Sequence, residues 1–182
     1  GLPVKDCGDA LIVPGMVDLH AHAPQYAFRG LGMDLELLEW LNTHTFPEEA
    51  KYSNEVYAKR AYTMYVEELK KSDVTRAVIF ATMHVEGTKI LMELLENSGL
   101  SAYVGKVNMD RNGGKDLEEK SAEKSLEETK RWLAETDGRF RHVRPILTPR
   151  FIPSCTDELM RGLAELQREK KLPVQSHLSE NP

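Results

Sequence analysis

The stretch PGMVDLHAHAPQ, residues 14–25, sets His20 and His22 one residue apart behind a run of aliphatic residues, in a chain with six histidines. Alternate residues of a strand share a face, so Asp18, His20 and His22 are expected on one face and Leu19 and Ala21 on the other. Two imidazoles side by side in an apolar segment must be solvated, hydrogen-bonded or bound to a cation. A third histidine, His177, stands in a later apolar run, LPVQSHL, with Glu180 close behind it. Three neutral ring nitrogens suit zinc or a similar divalent metal, and the same set would also accept iron. A carboxylate beside such an ion can take the proton of a bound water and pass it to a leaving group. Taken singly, each residue has a plainer reading: His177 as a hydrogen-bonded core histidine, and Glu180 as a carboxylate satisfying amides at a helix N-terminus.

The elements that must bring these residues together alternate along the chain. Short β-rich runs (ALIVPGMVDLHAH, VTRAVIFATMH, SAYVGKVNMD, RHVRPILTPRF and LPVQSHL) read as strands, apolar on both faces. Between them, residues 54–71, 87–98, 118–135 and 156–170 carry apolar stripes at helical spacing, with Gly99 as a C-cap and Ser154 as an N-cap candidate. Strand–helix alternation implies a parallel sheet with right-handed crossovers. No glycine-rich phosphate turn follows the first strand. A long excursion from Pro24 to Ser53 does, which favours a (β/α)8 barrel with its chemistry at the C-terminal strand ends. Those ends carry His20 with His22, then His84, Asp110, Arg150 with Phe151, and His177 with Glu180. His84 is expected to support the site through hydrogen bonds, His142 to lie at the opposite end of the barrel, and Phe28, Trp40 and Phe46 to pack the excursion onto the rim. A complete barrel needs about 250 residues. The chain, with strands 1–5 of an incomplete barrel, is therefore expected to be a piece of a longer protein.

Composition narrows the function classes. A formal net charge of −5 argues against a nucleic-acid surface. The longest apolar runs are too short to span a bilayer, and the N-terminus lacks the pattern of a secretion signal. Two cysteines make neither a disulfide framework nor a Cys-rich zinc site. With no C-x-x-C present, the cytidine-deaminase type of zinc site is excluded. A cytoplasmic location is the expectation.

VPGMVDLHAH together with VQSHLSEN resembles the amidohydrolase superfamily of metal-dependent barrel hydrolases. Within it, HAPQY, LLEWLNTHTFPEE, FATMH, YVGKVNMD, ILTPRF and SHLSEN resemble the guanine-deaminating members, in the family's order from about residue 11 onward. The resemblance implies that residues 11–182 are amidohydrolase barrel and residues 1–10 a remnant of a flanking β-sandwich. It implies zinc-dependent hydrolysis of guanine to xanthine and ammonia, with His20, His22 and His177 as ligands and Glu180 as proton shuttle. It further implies Gln25, Arg150 and Phe151 as residues that hold the purine, and a homodimeric assembly. An Arg fork suits the O6 and N7 edge of guanine, a Gln amide both donates and accepts, and an aromatic ring stacks on a flat base. The family's site is completed by a further histidine and an aspartate from later strands. Two alternatives stay open: an amidohydrolase for another aminopurine, a pterin or a triazine, and a non-catalytic metal-binding module.

Overall fold

The computed structural model describes residues 1–114 and 116–179. Among the described residues six short strands form: β1 (Met16–His22), β2 (Val74–Phe80), β3 (Ser101–Gly105), β4 (Val107–Asn108), β5 (Val143–Pro145) and β6 (Thr148–Pro149). β1, β2, β3 and β5 make one parallel sheet in that order, and β4 pairs in parallel with β6. β3 with β4 is a single expected run interrupted at Lys106, whose side chain is fully buried and turned toward Glu119. β5 with β6 is likewise one run, broken next to Pro145, a residue with no N–H to give a ladder.

The run LPVQSHL occupies the fifth strand position through isolated parallel bridges, Leu147 to Val174 and Phe151 to His177. Its backbone is held by Leu147 N–H to Pro173 O at 3.0 Å, Gln175 N–H to Leu147 O at 2.9 Å and His177 N–H to Arg150 O at 3.1 Å. Residues 1–15 form no strand. Leu2, Val4, Leu11 and Ile12 are exposed, and the first strand begins only after Pro14, where Met16 N–H reaches Asp73 O.

Helices connect the strands on one side. The excursion is helical rather than loop: a 3-10 turn over Ala23–Phe28, α1 (Leu37–Trp40), a π turn over Leu41–Thr45 and α2 (Phe46–Ala50). Then follow α3 (Glu55–Leu69), α4 (Val85–Ser98), α5 (Ala122–Thr136) and α6 (Asp157–Lys170). Asn54 caps α3 by accepting from Val56 N–H and Tyr57 N–H, and α4 stops at Gly99, whose φ of 80° is left-handed. α5 starts later than its apolar stripe suggests because Ser121 caps it while Glu119 is drawn inward to Lys106 and Met109 N–H. The cap of α6 is Thr156, accepting from Leu159 N–H, whereas Ser154 sits in the turn before it.

The core lies between sheet and helices, built on Tyr62, Ile79, Leu91, Leu95, Val104 and Trp132. A second cluster of Leu41, Phe46, Phe80, Val107, Met109 and Leu117 roots the excursion onto the strand ends, with Trp40 and Phe151 against it. Phe28 rests on Trp40 at 5.6 Å between ring centres. Elsewhere the sheet is open: Val17, Leu19 and Tyr103 are exposed, Leu19 by 71%, so β1 is not apolar-buried on both faces. Among the described residues no helix is long and apolar enough to cross a membrane.

Candidate functional site

β1 does not run as a regular strand to the site. Its register against β2 shifts between Asp18 and Ala21, where three steps on β1 match two on β2, and it closes again with His22 opposite Phe80. Asp18 Oδ1 stabilises this bulge by accepting from His20 N–H at 3.0 Å. Bulges bend a strand and re-aim side chains near functional sites. Here the bulge sits where His20 and His22 turn toward the fifth strand position.

His20, His22 and His177 meet. The Nε2 atoms of His22 and His20 are 3.2 Å apart and those of His22 and His177 3.0 Å apart, and one nitrogen from each of the three rings lies within 4.8 Å of the others. His177 Nδ1 donates to Arg150 O at 2.7 Å, since a carbonyl can only accept. That bond places a proton on Nδ1 and turns Nε2 toward His22. Burial, then the charges of Arg150, His177 and His20, push the His22 pKa well below the usual histidine value, so its ring is neutral at neutral pH. Three imidazoles whose ring nitrogens converge fit a divalent, borderline-soft cation in their donor chemistry and spacing.

Phe80, at the end of β2, is fully buried beneath this cluster. Its ring stacks on His22 at 4.5 Å and meets His177 at 4.5 Å and His20 at 5.2 Å. An apolar floor limits the water that reaches the imidazoles from below and adds to the burial of His22. Sequence reasoning passed over Phe80; the signal available was its place as the last residue of an apolar strand.

The other sequence candidates divide. Phe151 is half-buried and bridged to His177, with the two rings edge-on at 6.5 Å. Gln25 is half-buried in the 3-10 turn that follows β1 directly. Arg150 is buried, and its guanidinium grips Glu49 of α2 with Nη1–Oε2 at 2.6 Å and Nη2–Oε1 at 3.1 Å. Glu49 was not legible as a partner, because it stands 101 residues away in a segment that resembles any charged helix. Glu180 lies outside the described residues.

His84 is not among the residues that meet. Among the described residues its Nε2 is buried with no hydrogen-bond partner, so the expected supporting bond to the site does not form. Burial and the nearby Lys106 charge push its pKa down to about 4. Asp110 is likewise occupied elsewhere, accepting from Thr156 N–H at 2.7 Å and Thr156 Oγ1 at 2.6 Å to pin the start of α6. His142 precedes β5, away from the cluster, with its N–H on Glu96 at 2.8 Å.

Comparison with known proteins identifies the family and the fold. Residues 11–182 match the model of the amidohydrolase family. The chain is 42% identical over 179 residues to a guanine deaminase of Dictyostelium discoideum, covering 98% of this chain and 40% of that protein. It is 43% identical over 170 residues to a guanine deaminase of Mus musculus, covering 93% and 37%. The solved structure of guanine deaminase from C. acetobutylicum, with bound guanine in the active site, superposes with a TM-score of 0.90 at 49% identity, covering all of this chain and 45% of that one. The chain thus spans about 40% of the length of the curated relatives it matches. Its parallel strands and intervening helices are the first part of a (β/α)8 barrel.

Proposed function

We propose, from the premise that this chain belongs to the amidohydrolase family, that the whole protein hydrolyses guanine to xanthine and ammonia. The observation that carries the proposal is the convergence of His20, His22 and His177 next to Arg150 and Phe151, with the Arg150 carbonyl itself orienting His177. The guanine-binding relative at 49% identity supports the choice of base.

The three Nε2 atoms would hold a divalent cation, for which zinc is the proposal and iron the nearest rival, and which would activate water as a Lewis acid. Glu180 is assigned the proton work: it accepts a proton from the attacking water and gives it to the purine ring nitrogen, then carries the proton of the newly added hydroxyl to the amino group, so that the C–N bond breaks, ammonia leaves and the carbonyl of xanthine forms. Arg150 donates to the O6 and N7 edge, Gln25 both donates and accepts, and Phe151 offers a ring face to the flat base. Together they hold the carbon bearing the amino group in attack geometry, where positioning alone contributes several orders of magnitude. The proposal includes a cytoplasmic homodimer and a flanking β-sandwich to which residues 1–10 belong.

The test is ammonia release by the whole protein from guanine, adenine, cytosine, a pterin and a triazine. Guanine is expected to be the fastest substrate, and Glu180→Gln to abolish its turnover. Faster turnover of another ring would displace guanine, and undiminished activity in Glu180→Gln would remove the assigned proton role.

A further inference from the structure

The side chains of Arg150 and Glu49 are 3% and 2% exposed, an enclosure that would be costly for either charge alone. The pair is made end-on, by both Nη atoms, at 2.6 and 3.1 Å. A guanidinium carries five N–H groups in a rigid plane. Glu49 occupies one on each Nη, which leaves Nε–H and the outer hydrogen of its neighbouring Nη as a second parallel fork. The Phe46 ring lies 5.1 Å from the guanidinium carbon and Met109 Sδ 4.0 Å from Nη1, so an aromatic ring and a thioether also bound the group. The backbone of Arg150 is held as well, its N–H on Asn108 O and its carbonyl under His177. The guanidinium plane is therefore set before any ligand arrives.

We infer that Glu49 is a positioning residue that clamps one end of Arg150 and aims the remaining fork at a ligand edge with two acceptors, so that the site selects a 6-oxopurine over a purine lacking the 6-oxygen. The inference rests on the proposed contact between Arg150 and substrate. A fixed fork of donors meets O6 and N7 without reordering, whereas an edge lacking O6 leaves one buried donor unpaired and a 6-amino group sets donor against donor. Without its carboxylate the guanidinium keeps its charge but loses its orientation.

The experiment compares guanine with 2-aminopurine, which keeps the reacting 2-amino group and N7 but lacks O6, on the whole protein. Glu49→Gln is expected to raise the guanine KM and to lower the guanine to 2-aminopurine ratio of kcat/KM roughly tenfold to a hundredfold. Turnover of 2-aminopurine is expected to change far less. Glu49→Asp should restore part of the ratio, and in an Arg150→Lys background Glu49→Gln should lower it no further. An unchanged ratio, or equal losses on both purines, would overturn the inference, because a merely structural glutamate would injure both alike. If Glu49→Gln fails to fold, an unchanged ratio in Glu49→Asp overturns it instead. A wild-type protein inactive on guanine would overturn the activity reading and this one together, whereas failure of the Glu49 role alone shows against an active wild type.

Discussion

His22 Nε2 stands 3.0 Å from His177 Nε2 across 155 residues of sequence. His177 has already committed its Nδ1–H to the Arg150 carbonyl, which turns its Nε2 toward that gap. His22 has a second histidine nitrogen, that of His20, 3.2 Å away. The three ring nitrogens thus lie close enough together for one divalent cation to engage all of them.

The cluster should therefore couple metal binding to stability. Stripping divalent metal from the whole protein with a chelator is expected to lower the thermal midpoint, and adding zinc to restore it. At a free concentration a hundred times the dissociation constant, one ion contributes about 2.7 kcal/mol. His22→Ala should remove the response. An identical melting curve with and without zinc would mean that the three rings hold no ion.

Lys106 and Glu119 give a second expectation, this one about folding. Their side chains are 0% and 7% exposed, Nζ–Oε1 is 2.6 Å, and Glu119 Oε2 also accepts from Met109 N–H at 3.0 Å. Lys106→Met leaves a carboxylate buried without its counter-charge and should cost about 3–5 kcal/mol. Adding Glu119→Gln removes the stranded charge while keeping an acceptor for Met109, and should recover part of that loss. Denaturant titration of the single and double variants measures both, and equal stability of wild type and Lys106→Met would refute the argument.

What could be read in the sequence was local or periodic. The H-x-H pair, the alternation of strands with helices and the apolar stripes of α3 to α6 follow from residue spacing over one element. The bulge at Asp18 to Ala21 could not be read, because a bulge is a mismatch between two strands rather than a property of one. Glu49 and Lys106 were hidden for a related reason. Each looks like a solvated charge until a partner 101 or 13 residues away folds over it. The Pro24–Ser53 excursion was read as rim and its aromatic anchors were found, but its π turn depends on tertiary seating of Leu41 and Phe46 rather than on propensity. Of the assigned catalytic set, Glu180 falls outside the described residues, and its role stands on resemblance.

Phe80 should matter to the histidines more than to their identity as ligands. It stacks on His22 and touches the other two rings from below, fully buried. Phe80→Ala removes that floor and should cost about 3–5 kcal/mol of stability. Phe80→Leu keeps most of the volume and should fold, yet loosen the rings. Its expected signature is weaker zinc retention in equilibrium dialysis at a nearly unchanged melting temperature of the metal-free protein. Wild-type zinc affinity in Phe80→Leu would show that the ring only fills space.

His84 supplies a pH dependence whose sign can be worked out. Its native pKa is pushed down from 6.5 to about 4, first by burial and then by the Lys106 charge. Above about pH 6.5 the residue is neutral whether the chain is folded or not, and stability is unaffected. Between 6.5 and 4 the unfolded chain takes up a proton that the folded one refuses, so stability falls with falling pH, by at most about 1.4 kcal/mol per pH unit and about 3 kcal/mol in all. Below about pH 4 both states are protonated and this contribution stops changing. His84→Gln should flatten the dependence of the thermal midpoint over that window while other titrating groups keep their share. Lys106→Met, by deleting the neighbouring cation, should raise the native pKa and narrow the window from its acid end. A wild-type midpoint that falls no more steeply than that of His84→Gln between pH 6.5 and 4 would show that this imidazole is free to charge where it sits.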